Sequence, residues 1–388
     1  MKELKPSPRV LLGPGPSDVH PRVLRAMSTP LLGHLDPEFV ALMEDVKQML
    51  RATFRTANRL TLPLSATGSA GMEAVLANLL EPGEHAVICI NGVFGGRMAE
   101  IARRIGAVVT TVEVPWGEVF EAERLRAAID VAAPQGKPRL VAVVHAETST
   151  GARQALPEIA KIAHERGALF VVDAVTSLAG SPLEIDAWGI DACYSGTQKC
   201  LSCPPGLSPV TFSDAAAQRI RDRARPVQSW YLDLGLIDQY WGEARVYHHT
   251  APISMIYALY EALRLVEEEG LEARWARHAR NHTALVAGLE ALGLEMAVAA
   301  PHRLPMLNSV RVPAAVDEAA VRRHLLERHG IEIGSGLGPW KGKVWRIGLM
   351  GESSRKANVF LVLAALGEAM ASASTGAALA AAERAFGG

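Results

Sequence analysis

The sequence predicts an α/β protein, with a mainly parallel sheet in a large domain followed by a small α+β C-terminal domain. Two observations carry this. Between residues 60 and 173, short apolar runs alternate with segments of helical periodicity, the pattern of strands joined by crossover helices. One of these runs, Ala168-Leu169-Phe170-Val171-Val172-Asp173, is continuously apolar up to its terminal carboxylate, as a strand covered on both faces must be. A length of 388 residues also exceeds one ordinary core.

Taken in order, Val10-Leu11-Leu12-Gly13-Pro14-Gly15-Pro16 reads as an extended arm ended by Gly and Pro, with Ser17 and Asp18 able to cap a following helix. Phe39, Leu42, Met43, Val46, Met49 and Leu50 give residues 37–50 helical spacing. A strand at 60–64 breaks at Ser65-Ala66-Thr67-Gly68-Ser69-Ala70-Gly71 before a helix at 74–80. Small residues opening a helix leave N–H groups free at the positive end of its dipole, which suits an anion; a plain N-cap explains Thr67 and Ser69 equally well. Strands at 86–90, 108–114, 140–144 and 168–173 then alternate with helices at 95–105, 121–132 and 157–166. In such sheets ligands lie beyond the carboxyl ends of the strands. Thr67-Gly68-Ser69, Asn91-Gly92, Thr148-Ser149 and Asp173 all fall there and are expected to converge.

Beyond residues 209–212 the sequence turns polar and aromatic, through Trp230-Tyr231 and Tyr240-Trp241 to Tyr247-His248-His249-Thr250. Adjacent histidines diverge in helix and strand alike, and no H-E-x-x-H accompanies them, so no metal site is expected. Helices at 254–269 and 272–292 end the alternation. The last third offers a strand at 309–312, a helix at 318–329, a short run at 331–333, a Gly-rich turn at 334–338, the run Lys343-Val344-Trp345-Arg346-Ile347-Gly348 and a helix at 356–370, with 371–388 a loose Ala-rich terminal helix. The expected division is an arm over residues 1–20, a large domain over 21–265 and a small domain over 266–388.

Charged residues make up 21% of the chain and the net charge is -1, which leaves no basic excess for nucleic acid or an anionic membrane. No segment approaches the roughly 20 apolar residues that span a bilayer, and the N-terminus has no apolar signal run. A soluble, cytoplasmic protein is expected. Cys89, Cys193, Cys200 and Cys203 make no disulfide framework, and the single C-x-x-C reads as reduced structural thiols. No strand is followed by G-x-G-x-x-G, and Gly342-Lys343 lacks the P-loop spacing.

The run Tyr194-Ser195-Gly196-Thr197-Gln198-Lys199 closes on a lysine 26 residues beyond Asp173. A lone lysine after a loop is ordinarily solvated; a lysine converging with a buried acid is what a Schiff-base cofactor requires. From Gly13-Pro14-Gly15-Pro16 to Trp345-Arg346-Ile347-Gly348, nearly the whole chain resembles the alanine:glyoxylate and serine:pyruvate branch of the class V aminotransferases, fold type I enzymes that use pyridoxal 5'-phosphate (PLP). The markers are Ser195-Gly196-Thr197-Gln198-Lys199, Tyr247-His248-His249-Thr250 and Val344-Trp345-Arg346-Ile347-Gly348.

The resemblance implies that Lys199 holds PLP and shuttles a proton, which needs a neutral amine near pH 7, and that Asp173 pairs with the ring nitrogen. Phe94 matches an aromatic stacked on the cofactor, usually tryptophan in the family. Thr67, Gly68 and Ser69 match the phosphate cup, Gln198 a phosphate contact, Thr148 a hydroxyl near O3′ and Val175 a residue on the ring face. Tyr247 and Thr250 match residues that reach the other subunit's PLP, implying an obligatory homodimer with shared sites. Arg346 matches the arginine that grips the substrate α-carboxylate, and His34 is placed with it among the substrate-binding positions.

The implied reaction is ping-pong transamination from alanine or serine to glyoxylate. The alternative is (S)-ureidoglycine:glyoxylate transamination, whose branch Glu147-Thr148-Ser149-Thr150-Gly151 and Thr197-Gln198-Lys199-Cys200-Leu201-Ser202 also resemble; that branch tends to carry Asn at Tyr247 and Gln at His34. Another fold type I activity, such as a lyase, lacks supporting residues. Cysteine desulfuration would need a late mobile thiol, and the last cysteine is Cys203.

Overall fold

The computed structural model describes residues 3–132 and 137–387; Met1 and Lys2 of the arm and Gly388 of the Ala-rich tail lie outside them. Seven strands make the central sheet: β1 (Leu60–Leu64), β2 (His85–Ile90), β3 (Val108–Glu113), β4 (Leu140–Val144), β5 (Leu169–Asp173), β6 (Ala192–Tyr194) and β7 (Ser208–Phe212). Their order is β1-β7-β6-β5-β4-β2-β3, and β7 alone runs opposite in direction to the other six. Valines dominate β4 and the buried end of β5, and helices cover these central strands. Registers pair Val144 with Asp173 and Asp173 with Tyr194, so three strand ends finish at one level. Among the described residues no helix is long and apolar enough to cross a membrane.

The helix after β1 spans Gly68–Leu79 and starts earlier than the expected residue 74. Gly68, Ser69 and Gly71 are weak helix formers, and packing of this helix on β6 and β7 overrides that preference. Thr67 stands at its N-cap without a side-chain capping bond. Two further helices occupy the stretch read as merely polar and aromatic. Asp214–Arg221 is capped by Ser213, and Leu234–Trp241 by Asp233, whose Oδ1 accepts from Gly235 N at 2.9 Å. β6 is too short to leave a periodic signal.

Gly334–Ser335, expected as turn, pairs with Arg346 and Trp345 as an edge strand. Thr375–Ala385 is docked, not loose: Ala378 and Ala382 are fully buried, and their small side chains let it lie along helix Leu271–Ala291. A large buried cluster surrounds the central sheet. A second gathers Leu12, Leu285, Val310, Trp345 and Leu363.

The N-terminal arm is stitched to this second cluster. Val10–Leu11 pairs in parallel with Ile331 and Glu332, Leu12 is buried, and Gly348 N donates to Leu12 O at 2.7 Å. Ser17 and Asp18 do not cap the next helix, a task taken by His20, whose Nδ1 accepts from Arg22 N. Ser17 Oγ instead donates to Lys199 O at 2.7 Å, and Asp18 accepts from Leu11 N at 3.1 Å. The arm is thereby laid across the Lys199 turn.

A Cβ at Gly348 would overlap the Gly13 carbonyl oxygen, which is backbone and cannot swing away. Gly348→Ala is therefore expected to lower unfolding stability by about 1–3 kcal/mol, the usual cost of overpacking. Urea denaturation checks this, and an unchanged midpoint would mean that the arm is not held there.

Candidate active site

At the carboxyl ends of β4 and β5, a cavity of about 120 Å³ is lined by Gly68, Ser69, Phe94, Thr148, Asp173, Val175, Gln198 and Lys199, together with Met72, Arg97, Val144 and Ala146. Eight of the positions singled out in the sequence thus share one space. Thr67 abuts it in sequence without lining it.

Lys199 follows β6 on a turn fixed by side-chain bonds to backbone, Ser195 Oγ to Ala174 O at 3.0 Å and Thr197 Oγ1 to Pro204 O at 2.7 Å. Its Nζ donates to Pro14 O, a carbonyl supplied by the arm. The close approach requires glycine next door: Gly15 has φ +106°, and a Cβ there would stand 2.6 Å from Nζ. Burial of the amine lowers its pKa to about 8.

Asp173 ends β5. Its Oδ1 accepts from Val175 N at 2.8 Å and its Oδ2 from Tyr194 OH at 2.9 Å. Burial pushes the carboxyl up to about 7 against the pull of those hydrogen bonds, with the nearby Glu147 charge adding to the rise. Tyr194 carries no periodic or motif signal that would have marked it.

Glu147 is the larger omission of the sequence reading, which quoted it without a role. It is fully buried, and burial raises its pKa. The carboxylate accepts from Ser149 N (3.0 Å), Ser149 Oγ (2.5 Å), Phe94 N (3.1 Å) and Gly95 N (3.4 Å). It sits at the N-terminus of helix Val93–Ile105, where a negative charge is favoured, and fixes the Phe94 ring at the cavity wall. Arg97, one turn on, places its guanidinium 5.0 Å from the Phe94 ring centroid and donates to Ser69 Oγ at 3.1 Å.

Arg346 is buried on strand Val344–Gly348. It donates from Nε to Ser335 O at 2.7 Å and from Nη1 to Thr148 O at 3.0 Å. Burial lowers its pKa to about 10, and among the described residues no carboxylate forms an ion pair with it. A buried guanidinium held only by carbonyls is matched to an incoming anion.

His34, Tyr247 and Thr250 are not brought to this cavity. Tyr247 is 61% exposed, Thr250 is exposed, and the His34 ring lies against Tyr247 with centroids 5.5 Å apart. His248 and His249 face each other, Nδ1 to Nδ1 at 2.7 Å, while His249 Nε2 meets Ser65 Oγ at 2.7 Å. All four cysteines are free and buried, and burial pushes the Cys200 thiol up to about 11.

A doubly covered parallel sheet that aims a lysine amine and a buried carboxylate into one cavity defines an α/β enzyme of the Schiff-base type. The class-V aminotransferase profile matches residues 10–340. The chain is 44% identical over 383 residues to the (S)-ureidoglycine–glyoxylate transaminase of Bacillus subtilis, covering 94% of this chain and 91% of that one. It is 41% identical over 374 residues to the alanine–glyoxylate aminotransferase of Callithrix jacchus, covering 95% and 89%. The crystal structure of the alanine–glyoxylate aminotransferase from Nostoc sp. superposes with a TM-score of 0.93 at 49% identity, covering 95% and 97%. The chain belongs to the class-V aminotransferases and is a PLP-dependent aminotransferase of fold type I.

An amine with its pKa near 8 is about one-tenth neutral at pH 7, against less than a thousandth for a solvated lysine. In cofactor-free protein, the rate at which a small aldehyde modifies Lys199 is expected to rise with pH through a midpoint near 8. Peptide mapping across a pH series measures it, and a midpoint above about 10 would show the amine to be solvated.

Proposed function

We propose that this aminotransferase moves the amino group of alanine or serine to glyoxylate, with PLP held at Lys199. The observation that carries the reading is the single cavity shared by Lys199, Asp173 and Thr148, backed by Arg346. The residues present fit the cofactor. Gly68 and Ser69 open a helix and have no intrahelical acceptor for their N–H groups, and Phe94 and Val175 provide apolar walls. When bound, PLP supplies a ring that takes up the electrons released as the substrate Cα loses its proton.

The protein's own share is binding and proton transfer. Lys199, partly neutral because burial lowers its pKa, would hold the cofactor and, once freed, would accept and carry the substrate Cα proton. Asp173 would face the ring nitrogen of the bound cofactor, and its raised pKa suits it to share a proton there. Arg346 grips the substrate carboxylate with its planar fork, and its bond to Thr148 O ties that grip to the cofactor's hydroxyl contact. Gly68, Ser69 and Gln198 would hold the cofactor's phosphate. Thr67, at the N-cap, sets the helix start without touching the cavity.

Tyr247, Thr250 and His34 are assigned to the second subunit's site in a homodimer. The exposure of Tyr247 and Thr250 and the packing of half-buried His34 on Tyr247 support this, as do the exposed rings of Trp230 and Tyr231 in the same segment. An arm (1–20), a large domain (21–265) and a small domain (266–388) remain the proposed division; the two separate buried clusters support two cores, with Leu12 of the arm in the second and Val266 still in the first. Four unpaired thiols support a reducing compartment such as the cytoplasm. Ureidoglycine as donor is the second reading, favoured by the likeness to the B. subtilis enzyme.

Mixing the PLP-loaded protein with each amino acid and following the cofactor's visible absorbance separates the donors. Alanine or serine is expected to discharge the band quickly; rapid conversion by ureidoglycine alone would overturn the choice. Shared sites make a second prediction. A hybrid of Lys199→Ala and Tyr247→Ala chains should regain one intact site and recover activity that neither homodimer shows. No recovery in the hybrid would place Tyr247 in its own chain's site.

A further inference from the structure

On the face of the molecule formed by helices Glu318–His329 and Lys356–Ala369, two histidines and a glutamate converge: His324, His329 and Glu368. His324 Nε2 lies 3.3 Å from Glu368 Oε1 and His329 Nε2 lies 3.3 Å from Glu368 Oε2. One donor atom from each of the three residues can be chosen so that all lie within 4.8 Å of one another. Metal–ligand bonds of about 2.0–2.1 Å in a tetrahedron put neighbouring donors about 3.3–3.4 Å apart. Each nitrogen–oxygen separation is close to such an edge, but the two run to different oxygens of Glu368, so a cation here would be held by the carboxylate through both oxygens; the His324–Glu368 contact is otherwise a long hydrogen bond.

His329 Nε2 supplies an independent observation. It is buried and makes no hydrogen bond despite the carboxylate beside it. A buried ring nitrogen aimed at a carboxylate and a second imidazole, yet bonded to neither, is available to a ligand. The neighbouring Arg322 is already paired with Glu318 at 2.5 Å. His324 and Glu368 are partly open to solvent, leaving room for water to complete the coordination.

We propose that His324, His329 and Glu368 form a binding site for a divalent transition cation of the zinc class, which clips helix Glu318–His329 to helix Lys356–Ala369. Two imidazoles and one carboxylate suit a borderline cation, whereas magnesium and calcium require oxygen ligands. The site is independent of the cavity at Lys199 and of the amino donor.

Calorimetric titration of the PLP-loaded protein with zinc chloride tests it. One site per chain with a dissociation constant on the order of micromolar is expected, with no matching heat from magnesium chloride. His324→Ala, His329→Ala and Glu368→Gln are each expected to weaken it by at least about tenfold, and zinc should raise the melting temperature of the parent but not of the variants. Cobalt(II) in place of zinc should give the visible absorption of a four-coordinate complex, and the variants should lose it. Absence of any saturable zinc site below about 1 mM, or a site unchanged in the His324→Ala/His329→Ala double variant, overturns the proposal.

Discussion

The site depends on keeping the Lys199 amine out of water. A solvated lysine would be almost wholly protonated at neutral pH and could neither form a Schiff base readily nor accept a proton. Burial shifts that balance, and it is achieved by two stretches of chain far apart in sequence. The turn after β6 carries the lysine, the arm covers it with Pro14 O and Gly15, and Ser17 locks the arm to the lysine's own carbonyl. Because the arm is anchored by pairing with Ile331 and Glu332 and by Gly348, the cover over Lys199 depends on the second buried cluster as well as on the central sheet.

The same exclusion of water sets the other charges. Asp173 and Glu147 are both buried acids with raised pKa values, and each is held by several hydrogen bonds. Their roles differ. Asp173 opens on the cavity, whereas Glu147 is turned to the start of the helix that carries Phe94. Arg346 is a buried cation whose donors reach only carbonyls, so its positive charge is not paired with a carboxylate among the described residues.

Much of this was legible in the sequence, because strand ends are marked by abrupt changes of polarity. The apolar run ending at Asp173 and the small residues around Gly68 point to the right places, and the parallel topology follows from the alternation. What was hidden has physical causes. The helix from Gly68 owes its start to packing on β6 and β7, which local propensity opposes. β6 is too short to show a period, and Tyr194 reaches Asp173 only because the strands are in register. The arm's residues Ser17 and Asp18 looked like caps because that is their usual local use, while here they bond across the fold. His324 and His329 sit five apart, not the H-E-x-x-H spacing, and their rings come together beside Glu368 of another helix.

Reduction with borohydride after loading with PLP tests the central claim most directly, since it makes the lysine–cofactor bond permanent. Peptide mass spectrometry is expected to find the added cofactor mass on Lys199 alone. Attachment at another lysine, or none at all with the fold intact, would contradict the account.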